Sequence, residues 1–242
     1  MAKQITLIAK LKGAQKAKSG LKGINSSLTN LAQAAFTVGT AMKAIELVKL
    51  AGQSEALARG FKNLSKASGF SAQALDKLRS ATDGTMSSME LMKQANTAML
   101  LGIAESEDQM ADMFDVAQRL ASALGQDTAF GIESLVTGLG RQSKLMLDNL
   151  GIMVDVENAT KEYAKALGKT VSELTDAERK QAFVNEAMKE ANTLVKSLGE
   201  EHLTTADRMK QTTAAVDDMK TEIGIALTPI IENAAKAATL LA

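Results

Sequence analysis

Apolar positions along this chain recur at three, four and seven residues, the spacing that gathers them on one side of an α-helix. Leu28, Leu31, Ala35, Met42, Ile45 and Leu50 form such a stripe and predict a helix from about residue 26 to 66. Gly39, Gly52 and Gly60 each cost it about 1 kcal/mol relative to Ala, which makes Gly52 and Gly60 the candidate break points. Ahead of it, KQITLIAKL at 3–11 alternates loosely and reads equally as a first helical turn or as a short strand over 4–9.

From Ser71 the pattern becomes a series of capped segments. Ser71 is the expected N-cap of AQALDKLRSAT, which ends before Asp83-Gly84; Ser87 or Ser88 caps the next run, and Ser106 opens a helix stopped by Gly125. Asp127 or Thr128 then starts FGIESLVTGLG, expected to give way at Gly138 and Gly140 to a connection through RQSKLMLDNLGI. A helix from Val156 or Asn158 stops at Gly168. Two S/T-x-x-E boxes follow, Thr170 with Glu173 and Thr175 with Glu178, the second opening a helix to Gly199. Thr204 or Thr205 begins the last helix, whose stripe includes Met209, Val216, Met219, Ile223 and Leu227, and Pro229 is expected to kink or break it.

The expected fold is therefore all-α, in three parts: an N-terminal helical arm over 1–69, a globular bundle of short helices over 70–200, and a long C-terminal helix over 201–242 that continues in a longer parent chain. Phe114, Leu120, Leu124, Leu135, Leu147, Leu150, Ile152 and Phe183 are its expected core. Composition sharpens this: 40 Ala and 29 Leu among 242 residues favour helix, and 3% aromatics argue against a sandwich, barrel or doubly wound sheet. Charges balance at 28 against 28, so no general electrostatic drive toward nucleic acid or an anionic membrane exists. No cysteine is present, which removes disulfides, thiolate zinc sites and thiol nucleophiles.

Candidate chemistry is sparse. LGKT at 167–170 ends like a phosphate-binding loop, yet Tyr163 stands where that loop needs its first glycine, and the segment follows a helix. Gly138-Leu139-Gly140 lacks the third glycine of a dinucleotide fingerprint. His202, the only histidine, lies beside Glu200 and Glu201, where a helix-to-helix loop is the simpler reading than a metal site. Asp217 with Asp218, and Asp155 with Glu157, are the acidic pairs that acid-base chemistry would need, but solvated helix faces are the default for such residues. Met86, Met89, Met92, Met99, Met110, Met113 and Met146 read as core filler or as an adaptable apolar face. Lys10, Lys12, Lys16, Lys18 and Lys22 form a local basic excess, either solvated or facing an acidic partner. No catalytic, cofactor-binding or metal residue is assigned.

SEDQMADMFDVAQRLASALGQDTAFGIESLVTGLGRQSKLMLDNLGIMVD, followed by YAKALGKTVSELTDAERKQAFVNEAM, resembles the N-terminal region of phage tail tape measure proteins, where GLGR, LDNLGI, YAKALGK and LTDAERKQA occur in the same order. IGIALTPIIENAAK near the end is similar to the segment that leads that region into later hydrophobic helices. The resemblance covers roughly residues 85–195. It implies a non-enzymatic structural and assembly protein, made in the host cytoplasm and located in the virion tail lumen, that contributes to tail length and genome delivery.

Implied partners are tail tube and tail assembly proteins, other copies of the chain and tail tip proteins, with nucleic acid touched only in passing and membrane met at genome delivery. An α-helix rises about 1.5 Å per residue, so even a single helix of all 242 residues would span only about 360 Å. Family members run much longer, and the chain is read as a fragment, a processed piece or a short member. The alternatives are a membrane-active amphipathic helical protein and a small-ligand helical enzyme. Self-association through 26–66 and 204–242 is expected, since isolated helices expose their apolar stripes.

Overall fold

The computed structural model describes residues 38–199 and 203–240, and among them every regular element is a helix. In chain order these are α1 (Val38–Ala67), α2 (Ala74–Ala81), α3 (Ser88–Leu101), α4 (Glu107–Ala123), α5 (Thr128–Arg141), α6 (Lys144–Asp148) and α7 (Val156–Ala166). A 3-10 turn (Val171–Glu173), α8 (Asp176–Leu198) and α9 (Thr205–Leu240) complete the series. The expected strand over 4–9, the start of the first helix and the basic residues Lys10 to Lys22 lie outside the described residues, as do Glu200, Glu201 and His202.

Local capping chemistry sets most boundaries. The Ser87 hydroxyl accepts from the Glu90 amide while the Glu90 carboxylate accepts from the Ser87 amide, so two of the free N–H groups at the start of α3 are satisfied reciprocally. Ser106 accepts from the Gln109 amide at 3.1 Å, Asp127 from Ala129 at 2.9 Å and Asp155 from Asn158 at 3.0 Å. Thr175 and Glu178 form the box that opens α8, and the Thr170 amide donates to Glu173 at 2.7 Å over the 3-10 turn. Ser71 departs from its expected role. The cap of α2 is Gln73, and Ser71 instead donates its amide (2.6 Å) and hydroxyl (3.0 Å) to Glu107, binding the entry of α2 to the first turn of α4.

Two expected interruptions are absent for a tertiary reason. α5 runs through Gly138 and Gly140 to Arg141, because both glycines are packing positions: a Cβ on Gly138 would fall 2.5 Å from Leu147 Cδ2, and one on Gly140 would fall 2.9 Å from Leu101 Cβ. α1 likewise continues through Gly52 and Gly60. α9 passes Pro229 without a break, and Thr228 returns its hydroxyl to the Gly224 carbonyl at 2.9 Å in the turn before the proline.

By their contacts the described residues divide into two units, a larger one within 53–219 and a smaller one of 38–52 with 220–240, so the division falls inside α1 and α9. In the smaller unit, Gly224 lies directly against the Leu47 carbonyl and within 3.1 Å of Ala51 Cβ by the position a Cβ would take, leaving room only for hydrogen.

The larger unit is built around α5, which buries Gly131, Ile132, Ser134, Leu135, Val136, Gly138 and Leu139 and packs on α3, α4, α6 and α8. α4 contributes Met110, Met113, Phe114, Ala117, Leu120 and Ala121 at helical spacing, and α8 contributes Phe183, Val184, Ala187, Ala191 and Val195. Seven of the eight expected core residues are buried. Leu124 is the exception, 52% exposed, because it is the C-cap of α4 and Gly125 turns the chain away at φ 68°. Met86, Met92, Met110 and Met113 are core, whereas Met89, Met99 and Met146 are half-buried.

Gly131 is the tightest crossing of the core that backbone enforces. A Cβ there would lie 2.5 Å from Ala121 Cβ and 2.9 Å from the Ala117 carbonyl oxygen. Helix propensity alone would make Gly131→Ala stabilising by about 1 kcal/mol. Overpacking against backbone reverses the sign, and the variant is expected to lose about 1 to 3 kcal/mol in urea unfolding. A variant as stable as the parent would show that α4 and α5 do not meet this closely.

Candidate functional site: a polar clasp on the C-terminal helix

Among the described residues, those singled out from the sequence do not converge. Asp155 caps α7 and Glu157 pairs with Lys161 at 2.5 Å one turn on, so this acidic pair is spent on a helix start. Gly168, at φ 67°, is the C-terminal stop after α7; Lys169 pairs with Glu178, and Thr170 meets Glu173, so LGKT is a helix stop followed by caps. Gly138 and Gly140 pack against leucines. Among the described residues no group of three or more His, Asp or Glu side chains could hold a metal ion, and no helix is long and apolar enough to cross a membrane.

The polar arrangement with the most partners lies where the first turns of α9, up to residue 219, meet α2, α3 and α4. Asp207, Gln211, Ala214 and Asp218 follow one another at four, three and four residues and so share a face. Asp207 and Ala214 are buried at 4% and 5% exposure. Met209, Val216 and Met219, the residues of the expected apolar stripe, are instead 69%, 38% and 55% exposed. The helix therefore docks by its polar side and leaves these three residues of the stripe in water.

Asp218 closes the arrangement. Both terminal nitrogens of the Arg79 guanidinium reach its Oδ2 at 3.1 Å, the Ser88 amide donates to Oδ1 at 2.7 Å, and the Ser88 hydroxyl donates to Oδ2 at 3.1 Å. Ser88 is the first residue of α3, so its amide has no partner within the helix and lies at the positive end of the helix dipole. A carboxylate there is doubly favoured. Asp218 is thus not the solvated surface carboxylate expected from sequence.

Further contacts hold the same helix. Gln211 donates to the Asp83 carbonyl at 2.7 Å, which Asp83 presents because it and Gly84 both take left-handed backbone, at φ 49° and 67°. Lys210 donates to the Gln126 carbonyl at 3.2 Å. Asp207 accepts from the Thr204 amide and hydroxyl at 3.0 and 2.7 Å, a carboxylate version of the capping box. Beneath lies Gln118, 1% exposed, whose amide nitrogen donates to Asp83 at 3.1 Å and whose carbonyl oxygen has no partner. The sequence named Ser88 as a cap candidate and Asp218 in an acidic pair but did not bring them together with Arg79 and Gln211, because each is of a residue type that normally faces water. The available signal was the seven-residue recurrence of polar and small residues opposite the apolar stripe.

The shifted titrations follow from caps and ion pairs. Lys77 first, then the amide and hydroxyl of Ser71, lower the Glu107 carboxyl to about 2, and Lys169 with the amide of Thr175 does the same for Glu178. For Asp207 burial acts upward, but the hydrogen bonds from Thr204, the charge of Lys210 and the Ser122 hydroxyl outweigh it and the net shift is downward. Burial raises Asp115, against the pull of Arg119.

No protein-family model matches the chain, and no solved structure matches it. The arrangement itself is a latch between a helix and a domain, and its chemistry is that of binding a carboxylate.

Two outcomes follow from these contacts. Asp218→Ala is expected to cost about 1 to 2 kcal/mol in urea unfolding, since charge-assisted hydrogen bonds are lost at a partly exposed site; a midpoint equal to that of the parent would contradict the latch. Depressed carboxyls bind protons more weakly folded than unfolded. Their contribution is therefore complete above the ordinary value of 4.5 and is lost as pH falls through the folded value of about 2. Stability should decline from about pH 5 toward 2, and Glu178→Gln should flatten that decline. An unchanged slope in the variant would remove Glu178 from the explanation.

Proposed function

We propose that the chain is a structural and assembly component of a phage or prophage tail, corresponding to the N-terminal region of a tape measure protein. The observation that carries this reading is that the motifs of the resemblance fall on residues that build one domain. GLGR supplies the packing glycines Gly138 and Gly140 at the end of α5. LDNLGI forms the turn that buries Leu147, Leu150 and Ile152. YAKALGK carries the stop at Gly168, and LTDAERKQA carries the cap that opens α8.

A similarity carried by packing and capping residues, rather than by a reactive set, suits a scaffold. The proposed location is the tail lumen, with tail tube, tail assembly and tail tip proteins and other copies of the chain as partners, and with roles in setting tail length and in genome delivery.

The test is made in the phage or prophage that encodes the chain. Mass spectrometry of purified tails should find peptides from residues 53–219, and loss of the gene should abolish tails or alter their length in electron micrographs. Normal tails without the gene, together with absence of the peptides from purified particles, would overturn the reading.

A further inference from the structure

The C-terminal helix is attached to the larger unit in a manner unlike that of the other helices. α8 meets the core through Phe183, Val184, Ala187, Ala191 and Val195, all buried and apolar. The stretch of α9 from Thr205 to Met219 buries one apolar side chain, Ala214, and one carboxylate, Asp207, and directs Met209, Val216 and Met219 outward. Its attachment includes the Asp218 contacts with Arg79 and Ser88, the Gln211 contact with Asp83, the Lys210 contact with Gln126 and the hydrogen bond of Ser122 to Asp207. Arg79 and Asp218 keep 39% and 24% of their side-chain surface in water. Polar contacts at such exposure exchange readily for water and are screened by salt, whereas apolar burial is not.

The receiving surface has contacts of its own. Arg79 also donates to the Ser88 hydroxyl, α3 keeps its own Ser87–Glu90 cap, and the Asp83–Gly84 turn is held by the Gly84 amide to the Arg79 carbonyl at 2.9 Å. Release would leave a formed notch in which the Arg79 fork, the Ser88 amide and the Ser88 hydroxyl together suit a carboxylate.

From these contacts we infer that residues 203–219 form a releasable strap, latched on the domain by Asp218 and able to detach while the core remains folded. Detachment exposes the carboxylate notch and separates the strap from the Gln211 and Lys210 contacts in one event. This inference rests on the contacts alone and is independent of any role in a tail.

The chain has no cysteine, so a single introduced thiol reports on one place. In the full chain, Ala214→Cys places the thiol beneath the strap, and Val195→Cys places it in the core at 6% exposure. Labelling with a small thiol reagent is followed in urea below the unfolding transition, and at 0.05 and 0.5 M sodium chloride, a range that shortens the Debye length from about 14 to about 4 Å.

The thiol at 214 should react at least tenfold faster than that at 195. It should accelerate severalfold in high salt and about tenfold when Asp218→Asn is added, and its rate should rise only shallowly with urea below the unfolding transition, whereas that at 195 should rise steeply. Should Val195→Cys fail to fold, Ser134→Cys, also in the core at 1% exposure, takes its place. Equal protection at both positions, or the same steep urea dependence at both, would mean that the strap opens only with the whole domain and would overturn the inference.

Discussion

The close approach of α4 to α5 at Gly131 fixes the spacing on which the larger unit is built. With only hydrogen on that residue, the Ala117 carbonyl and the Ala121 methyl come into contact with the α5 backbone, and the remaining side chains interlock around the crossing. α5 can then be buried on nearly every side, because small residues on its faces admit neighbours at short range: Gly131 toward α4, Gly138 toward Leu147 of α6, and Gly140 toward Leu101 of α3. Large side chains are few in this chain. Alanine, glycine and methionine let it reach high packing density without them.

Connections between helices follow from this core in a local way. Side-chain caps begin most of the helices, and longer-range polar contacts tie their ends together: Ser71 reaches Glu107, Lys77 reaches Glu107 and Asp108, Arg119 reaches the Gly199 carbonyl, and Lys180 reaches the Leu101 carbonyl. Several of these place a cation on a helix C-terminus or a carboxylate on an N-terminus, which the helix dipole favours. The same rule accounts for Asp218 at the start of α3, and it explains how a helix whose apolar stripe faces outward is still held to the domain.

The sequence was most informative where a signal is complete within a few residues. Ser87 with Glu90, Ser106, Asp127 and Thr175 with Glu178 declare helix starts because donor and acceptor lie within three residues, and Gly125 and Gly168 declare stops because left-handed backbone is a local demand. It was misleading where the decision is made by a distant partner. Gly138 and Gly140 look like breaks until Leu147 and Leu101 are placed beside them. Leu124 looks like core until the turn at Gly125 directs it outward. In α9 the recurrence of Asp207, Gln211, Ala214 and Asp218 marks a second face, but not that Arg79 and Ser88, more than a hundred residues earlier, bind it.

The crossing of α4 and α5 at Gly131 is expected to be the most stable part of the larger unit, with the other helices depending on it. Native-state hydrogen exchange read by NMR tests it most directly. Amides of Leu120 and Ala121 in α4 and of Leu135 and Val136 in α5 should exchange only with global unfolding, with the steepest denaturant dependence in the unit, and those of α2 and α7 should open earlier. Slower exchange in α2 or α7 than at the α4–α5 crossing would contradict the account.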